Sequence, residues 1–117
     1  MKVPFVKMSG SGNDFVVLDG RTGRFPDASL HALTRRLCHR REGVGADGTL
    51  VLRNAGPNSV RMVYHNADGS RARLCGNAVR CTAHFAQALG LVSSPFTLHS
   101  DAGRHRAWVR GPRAEVE

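Results

Sequence analysis

The segment from about Gly76 to Leu89 constrains the chain most. Its polar positions, Arg80, His84 and Gln87, form a narrow stripe, while Ala78, Val79, Cys81, Ala83, Phe85, Ala86, Ala88 and Leu89 cover most of the remaining circumference. A helix that is apolar nearly all round has to be enclosed by other structure. The chain has 117 residues, enough for one domain and one modest core. The strands must therefore wrap around this helix.

Several strands are expected. Val3 to Met8 reads as the first and Asp14 to Asp19 as the second, joined by the glycine-rich turn Ser9-Gly10-Ser11-Gly12-Asn13. Gly20 to Pro26 is a loop, after which Asp27 or Ser29 can cap a helix from about Leu30 to Arg40. Leu30, Leu33 and Leu37 share one face of that helix, and Arg35, Arg36, His39 and Arg40 crowd its last turns. Glu42 to Gly48 carries three glycines in seven residues and leads into a strand from Thr49 to Arg53, with a turn over Asn54 to Asn58. Val60, Met62 and Tyr64 alternate with Arg61, Val63 and His65, the period of a half-buried strand. Asn66-Ala67-Asp68-Gly69 carries a hairpin signal that returns the chain through Arg71-Ala72-Arg73. Phe96 to His99 and Arg104 to Val109 flank the turn Asp101-Ala102-Gly103, and Gly111 to Glu117 shows no clear pattern. The fold class expected is α+β: a curved, mostly antiparallel sheet rolled around one central buried helix.

Composition excludes several classes. No apolar run approaches the ~20 residues of a membrane-spanning helix, and the start Met1-Lys2-Val3-Pro4-Phe5 lacks the apolar core of a secretory signal, so a cytoplasmic protein with no membrane partner is expected. The three cysteines, Cys38, Cys75 and Cys81, are odd in number and lack Cys-x-x-Cys spacing, which argues against a disulfide scaffold and against structural zinc. Gly10-x-Gly12 opens a strand rather than a helix, and no Gly-Lys-Ser/Thr is present, so neither a dinucleotide site nor a P-loop is indicated. No dinucleotide cofactor, P-loop nucleotide or structural zinc is therefore expected. The net charge of +8 would suit nucleic acid, but the arginines are scattered and Trp108, Tyr64 and five phenylalanines offer little base stacking. A basic nucleic-acid-binding domain stands as the lesser alternative.

Cys75-Gly76-Asn77 falls where a hairpin strand feeds the enclosed helix. A thiol there meets unsatisfied backbone N–H groups and the positive end of the helix dipole, which favours thiolate. Cys38, at a helix C-terminus, and Cys81, inside the enclosed helix, have the opposite environments. The plainer reading makes Cys75 a small buried residue and Asn77 a cap. A Cys/His hydrolase, with His65 ten residues upstream, has weak support. Asn13 and Asn66, in the polar loops, are either turn formers or hydrogen-bonding groups for a substrate carboxylate or ammonium.

Four segments, Gly10-Ser11-Gly12-Asn13-Asp14-Phe15, Gly43-Val44-Gly45-Ala46-Asp47-Gly48, Asn66-Ala67-Asp68-Gly69-Ser70 and Cys75-Gly76-Asn77-Ala78-Val79-Arg80-Cys81, resemble the diaminopimelate epimerase family in order and spacing. The resemblance covers most of the chain. It implies interconversion of LL- and meso-2,6-diaminopimelate, in lysine and peptidoglycan-precursor synthesis, without pyridoxal phosphate or metal. It also implies two similar lobes, each a sheet rolled around a helix, with one catalytic thiol from each and substrate between them. Cys75 matches the first-lobe thiol, and Asn13, Asn66, Gly76 and Asn77 match its substrate-binding positions. On this resemblance residues 1–117 are the N-terminal lobe, the second lobe is absent from the chain, and a homodimer is compatible with the family pattern. Four positions depart from that pattern: Ala78 replaces a frequent glycine, Arg71 and Arg73 replace acidic residues, and Gly48 stands where many members carry a substrate-contacting glutamine. The alternatives are a related amino-acid racemase on the same fold and a binding module without catalysis.

Overall fold

The computed structural model describes residues 3–117; Met1 and Lys2, with which the amino-terminal pentapeptide begins, lie outside the described residues. Ten elements follow in order: β1 (Val6–Gly10), β2 (Asn13–Asp19), α1 (Asp27–Cys38), β3 (Gly48–Asn54), β4 (Ser59–Asn66), β5 (Arg71–Ala72), α2 (Gly76–Ala88), β6 (Phe96–Ser100), β7 (Gly103–Arg110) and β8 (Arg113–Val116). All strands join one sheet in the order β1-β2-β3-β4-β6-β7-β8, with the short β5 paired to β4. Two pairs are parallel, β2 with β3 and β4 with β6; the others are antiparallel. A parallel pair needs a crossover, and the two helices lie in the two crossovers. The α+β architecture of a curled sheet around a central helix is therefore as the sequence indicates.

The helices take opposite faces of the sheet. Facing α2, Phe15, Val17, Leu50, Leu52, Val60, Met62, Tyr64 and Leu98 pack with Ala78, Val79, Cys81, Ala83, Phe85 and Ala86. Facing α1, Val16, Leu18, Val51 and Val63 pack with Leu30 and Cys38. Alternation along β2, β3 and β4 thus feeds two cores at once, because successive side chains point to opposite faces. This corrects the half-buried reading of β4. Val63 and His65 are as deeply covered as Val60 and Met62, because α1 lies over their side of the sheet.

Other boundaries differ for identifiable reasons. β1 begins at Val6 rather than Val3, and Val3 packs against the outer core instead. Pro26, not Asp27 or Ser29, precedes α1, with no side-chain cap; Ser29 bonds back to the Pro26 carbonyl through both N–H and Oγ (2.9 and 2.7 Å), and Asp27 pairs with Arg53 at 2.8 Å. The helix stops at Cys38, where His39 turns extended, so Arg40 leaves the helix altogether. α2 ends at Ala88, and Leu89 is its exposed C-cap. The patternless tail forms β8, turned back on β7 through Gly111, whose positive φ of 58° suits a residue without Cβ.

His65 is the one buried side chain whose polar atom, Nδ1, finds no partner among the described residues. It lies opposite Thr49 on β3 and Arg71 on β5. Burial pushes its pKa below 6.5, Arg71 and His31 push it further down, and Asp27 and Asp101 act the other way. A folded pKa below the unfolded one means stability present above about 6.5 that is lost as pH falls through the folded value. Urea midpoints measured from pH 7.5 downward should decline on this account, and a His65→Leu variant should show a shallower decline over the same window. Parallel pH curves for the two proteins would contradict the assignment.

Candidate active site

The turns at one end of the sheet bring the four glycine- and asparagine-rich segments together. The β1–β2 turn ends at the Gly10–Asn13 pair, Gly48 lies between Phe15 and Asn66 in register, and β5 hands the chain to α2 through Cys75. Cys75 is the N-cap residue of α2, extended at φ −147° and ψ 129°, and its carbonyl accepts the first helical bond from Val79 at 3.1 Å. It is half-buried at the rim of the inner core.

The other two thiols are placed differently. Burial raises Cys38 to about 11. Burial also raises Cys81, against a lowering influence from Arg80 and with a small raising one from Cys75. Tyr64 is raised by its own burial first and by Cys75 second. Iodoacetamide at neutral pH should therefore label Cys75 first, with Cys38 and Cys81 protected until the fold opens. Peptide mass spectrometry reads this directly, and faster labelling of either buried thiol would remove the basis for singling out Cys75.

The amides around Cys75 are connected. Asn77, two residues on, donates from Nδ2 to Asn13 Oδ1 at 2.7 Å, joining positions 64 residues apart in sequence. Asn13 donates from Nδ2 to Asp47 at 3.4 Å. Gly10 packs beside them: a Cβ there would stand in ordinary contact, 3.5 Å from Cys81 Sγ and 3.8 Å from Asn77 Cβ. Gly76 lies under the Arg80 guanidinium, which donates to Asn77 Oδ1. The structure thus brings Asn13, Gly76 and Asn77 together with Cys75. Asn66 sits on the adjoining turn, where its side chain donates to Ser70 Oγ at 3.2 Å; that turn is tied to the rest by Ala67 N–H donating to the Asp47 carbonyl at 2.9 Å.

The residues that clamp these loops escaped the sequence reading. Asp14 and Asp47 form a reciprocal clasp: each backbone N–H donates to the other's carboxylate, at 3.1 and 3.0 Å. Arg40, released by the end of α1, reaches both carboxylates at 2.8 and 3.2 Å, and Lys7 reaches Asp14 at 3.1 Å. The Arg40 bond, above the opposing effect of burial, holds the Asp14 carboxyl well below the usual carboxylate range. A signal was present, because each aspartate follows a glycine-rich loop. Its basic partner, however, reads from sequence as part of the last turn of a helix running to Arg40.

Gly48 also has a structural reason. A Cβ there would stand 2.5 Å from the His65 carbonyl oxygen and 2.9 Å from the Tyr64 ring. The β3–β4 backbones approach too closely for any side chain at this position without a shift.

The diaminopimelate epimerase family model matches residues 5–116. The chain belongs to the diaminopimelate epimerase family. A curated diaminopimelate epimerase of Flavobacterium psychrophilum is 40% identical over 103 residues, covering 88% of this chain and 40% of that protein. One of Desulforudis audaxviator is 48% identical over 89 residues, 76% of this chain and 32% of that protein. The chain thus spans roughly a third to two-fifths of the length of these relatives. Among solved structures, a methylitaconate-delta-isomerase superposes with a TM-score of 0.71 over 98% of this chain and 36% of its own, at 18% identity. That likeness establishes the epimerase-type fold alone. Within the family frame, the matched region contains Cys75 and all the loops that surround it.

Proposed function

We propose that this chain is one lobe of a cofactor-independent diaminopimelate epimerase, with Cys75 as one of two catalytic thiols and a second lobe supplying the other. The observation that carries the reading is the placement of Cys75. It is the accessible thiol of the three, at the N-terminus of the enclosed helix, with Asn13 and Asn77 joined beside it. Membership of the family supports the substrate: LL- and meso-2,6-diaminopimelate, in lysine and peptidoglycan-precursor synthesis, in the cytoplasm.

Inversion at a carbon bearing an acidic proton needs a base on one face and an acid on the other. One thiolate takes the α-proton, the C–H electron pair spreads into the carboxylate, and the opposite thiol gives its proton to the other face. Cys75 serves one face. Asn13, Asn66, Asn77 and the backbone at Gly76 hold the substrate's carboxylate and ammonium groups. N–H groups of the first turn of α2 have no partner within the helix and supply fixed donors for negative charge. Such donors stabilise the developing carbanion best where water is excluded, which is the task of the covering lobe. Intramolecular pairing of Arg21, Arg40, Arg53, Arg61 and Arg71 with aspartates further weighs against a nucleic-acid surface.

The test follows stereochemical inversion and α-proton exchange of diaminopimelate in deuterated water. A fusion of this chain to the second lobe of a curated relative should invert substrate and incorporate deuterium, and the 117-residue chain alone should do neither at a useful rate. Efficient inversion by the chain alone would refute the two-lobe reading.

A further inference from the structure

The two amides beside Cys75 are not free to choose their orientation. Asn77 Oδ1 accepts from the Arg80 guanidinium, and a guanidinium carries donors only. Only the oxygen of that amide can face it. Nδ2 of Asn77 is thereby turned toward Asn13, which answers with Oδ1 at 2.7 Å. Nδ2 of Asn13 is left facing Asp47 Oδ2 at 3.4 Å, and an ionised carboxylate carries acceptors only. A donor-only cation at one end and an acceptor-only anion at the other admit a single polarity for both amides between them. Reversing either amide would oppose like groups at two contacts.

The ends are held independently. Asp47 Oδ2 also accepts from the Asp14 N–H at 3.1 Å, and its Oδ1 accepts from Arg40 at 3.2 Å. Arg80 makes no ion pair among the described residues, and its guanidinium lies over Gly76, 3.3 Å from where a Cβ would stand. Its charge is thus neutralised by no carboxylate and is committed to the Asn77 oxygen. Each amide has two N–H donors and two carbonyl lone pairs, so one of each remains on both for another molecule.

We propose that Arg80 and Asp47 are positioning residues that set the amide polarity of Asn13 and Asn77 through the relay Arg80–Asn77–Asn13–Asp47. The pattern of donors and acceptors presented beside Cys75 is then fixed before a ligand arrives. The inference rests on the proposed function only for the use made of those amides. A substrate carrying an ammonium and a carboxylate on one carbon offers donors at one place and acceptors at another, and a fixed pattern distinguishes its two ends.

The experiment reads the side-chain amide resonances of Asn13 and Asn77 in the isotope-labelled 117-residue chain. Arg80→Gln introduces a group that can donate or accept, so both amide polarities become available. The Asn77 amide protons should move, and so should those of Asn13, which Arg80 does not touch. Exchange of the Asn13–Asn77 bridging proton with water should quicken about five- to tenfold, the scale of one hydrogen bond of modest net strength. Arg80→Lys, again a donor-only cation, should restore the wild-type pattern, and Asp47→Asn should disturb Asn77 from the other end. Unmoved Asn13 resonances in Arg80→Gln would overturn the relay, as would an Arg80→Lys spectrum matching that of Arg80→Gln. Turnover is not read, so the result stands or falls separately from the reaction proposed above.

Discussion

In a two-lobe fusion, Cys75→Ala is expected to lower inversion by roughly 10²–10⁴-fold, the contribution typical of one positioned acid or base. On the proposed mechanism the replacement removes the proton-transferring group from one face of the substrate carbon. Cys81 cannot substitute for it, since it lies six residues further along α2 and is 4% exposed under Gly10. Stability should hardly change, because Cys75 is half-buried at the rim and its backbone, not its side chain, begins the helix. A Cys81→Ala variant should show the opposite balance: a folded-state penalty with activity largely kept once folded. Full inversion by the Cys75→Ala fusion would remove the thiol assignment. A lost far-ultraviolet signal would instead mark the variant as unfolded, and Cys75→Ser would then replace it in the same assay.

Phe15→Ala carries the largest stability effect expected, about 3–5 kcal/mol. The ring is wholly buried on the α2 side of β2 and meets Tyr64 edge-on, with centroids 5.8 Å apart and planes at 86°. Removing it leaves a cavity under the residues that precede it, Asn13 and Asp14. Domains of this size hold about 5–15 kcal/mol in total, so this one truncation takes a large share. Urea titration reads the loss as a lower midpoint. A change below about 1 kcal/mol would mean that α2 collapses onto the vacated space and that the core is less tightly specified than its burial implies.

The parts of the fold legible in the sequence are those whose pattern is self-contained. α2 announces its enclosure because apolar residues occupy almost every side of it, and the Asp68-Gly69 turn announces β5. β8 is different: Arg113-Ala114-Glu115-Val116 has only two inward positions, and it becomes a strand because β7 is there to pair with. β4 looked half-buried because one of its two cores is supplied by α1, whose docking no local period records. At the candidate site, turn chemistry and family resemblance single out Asn13, Gly76, Asn77 and Cys75, which lie together in the structure. The clasp of Asp14, Asp47 and Arg40 was not, since it depends on α1 ending early enough to free Arg40. Long-range hydrogen bonds such as Asn77 to Asn13 leave no periodic trace along the chain.

The curl ends in two open margins, β1 and β8, each presenting one row of backbone groups with no neighbouring strand among the described residues. Such margins invite another chain to add on, and the hazard grows with length and apolar exposure. β8 is four residues long and sets Arg113 and Glu115 on its exposed side. β1 is five residues long and has a weaker guard, for Phe5 and Val6 at its start are nearly half exposed. When the 117-residue chain is purified alone, self-association should therefore begin at β1, and a charged residue at Val6 is the change that would keep concentrated solutions clear.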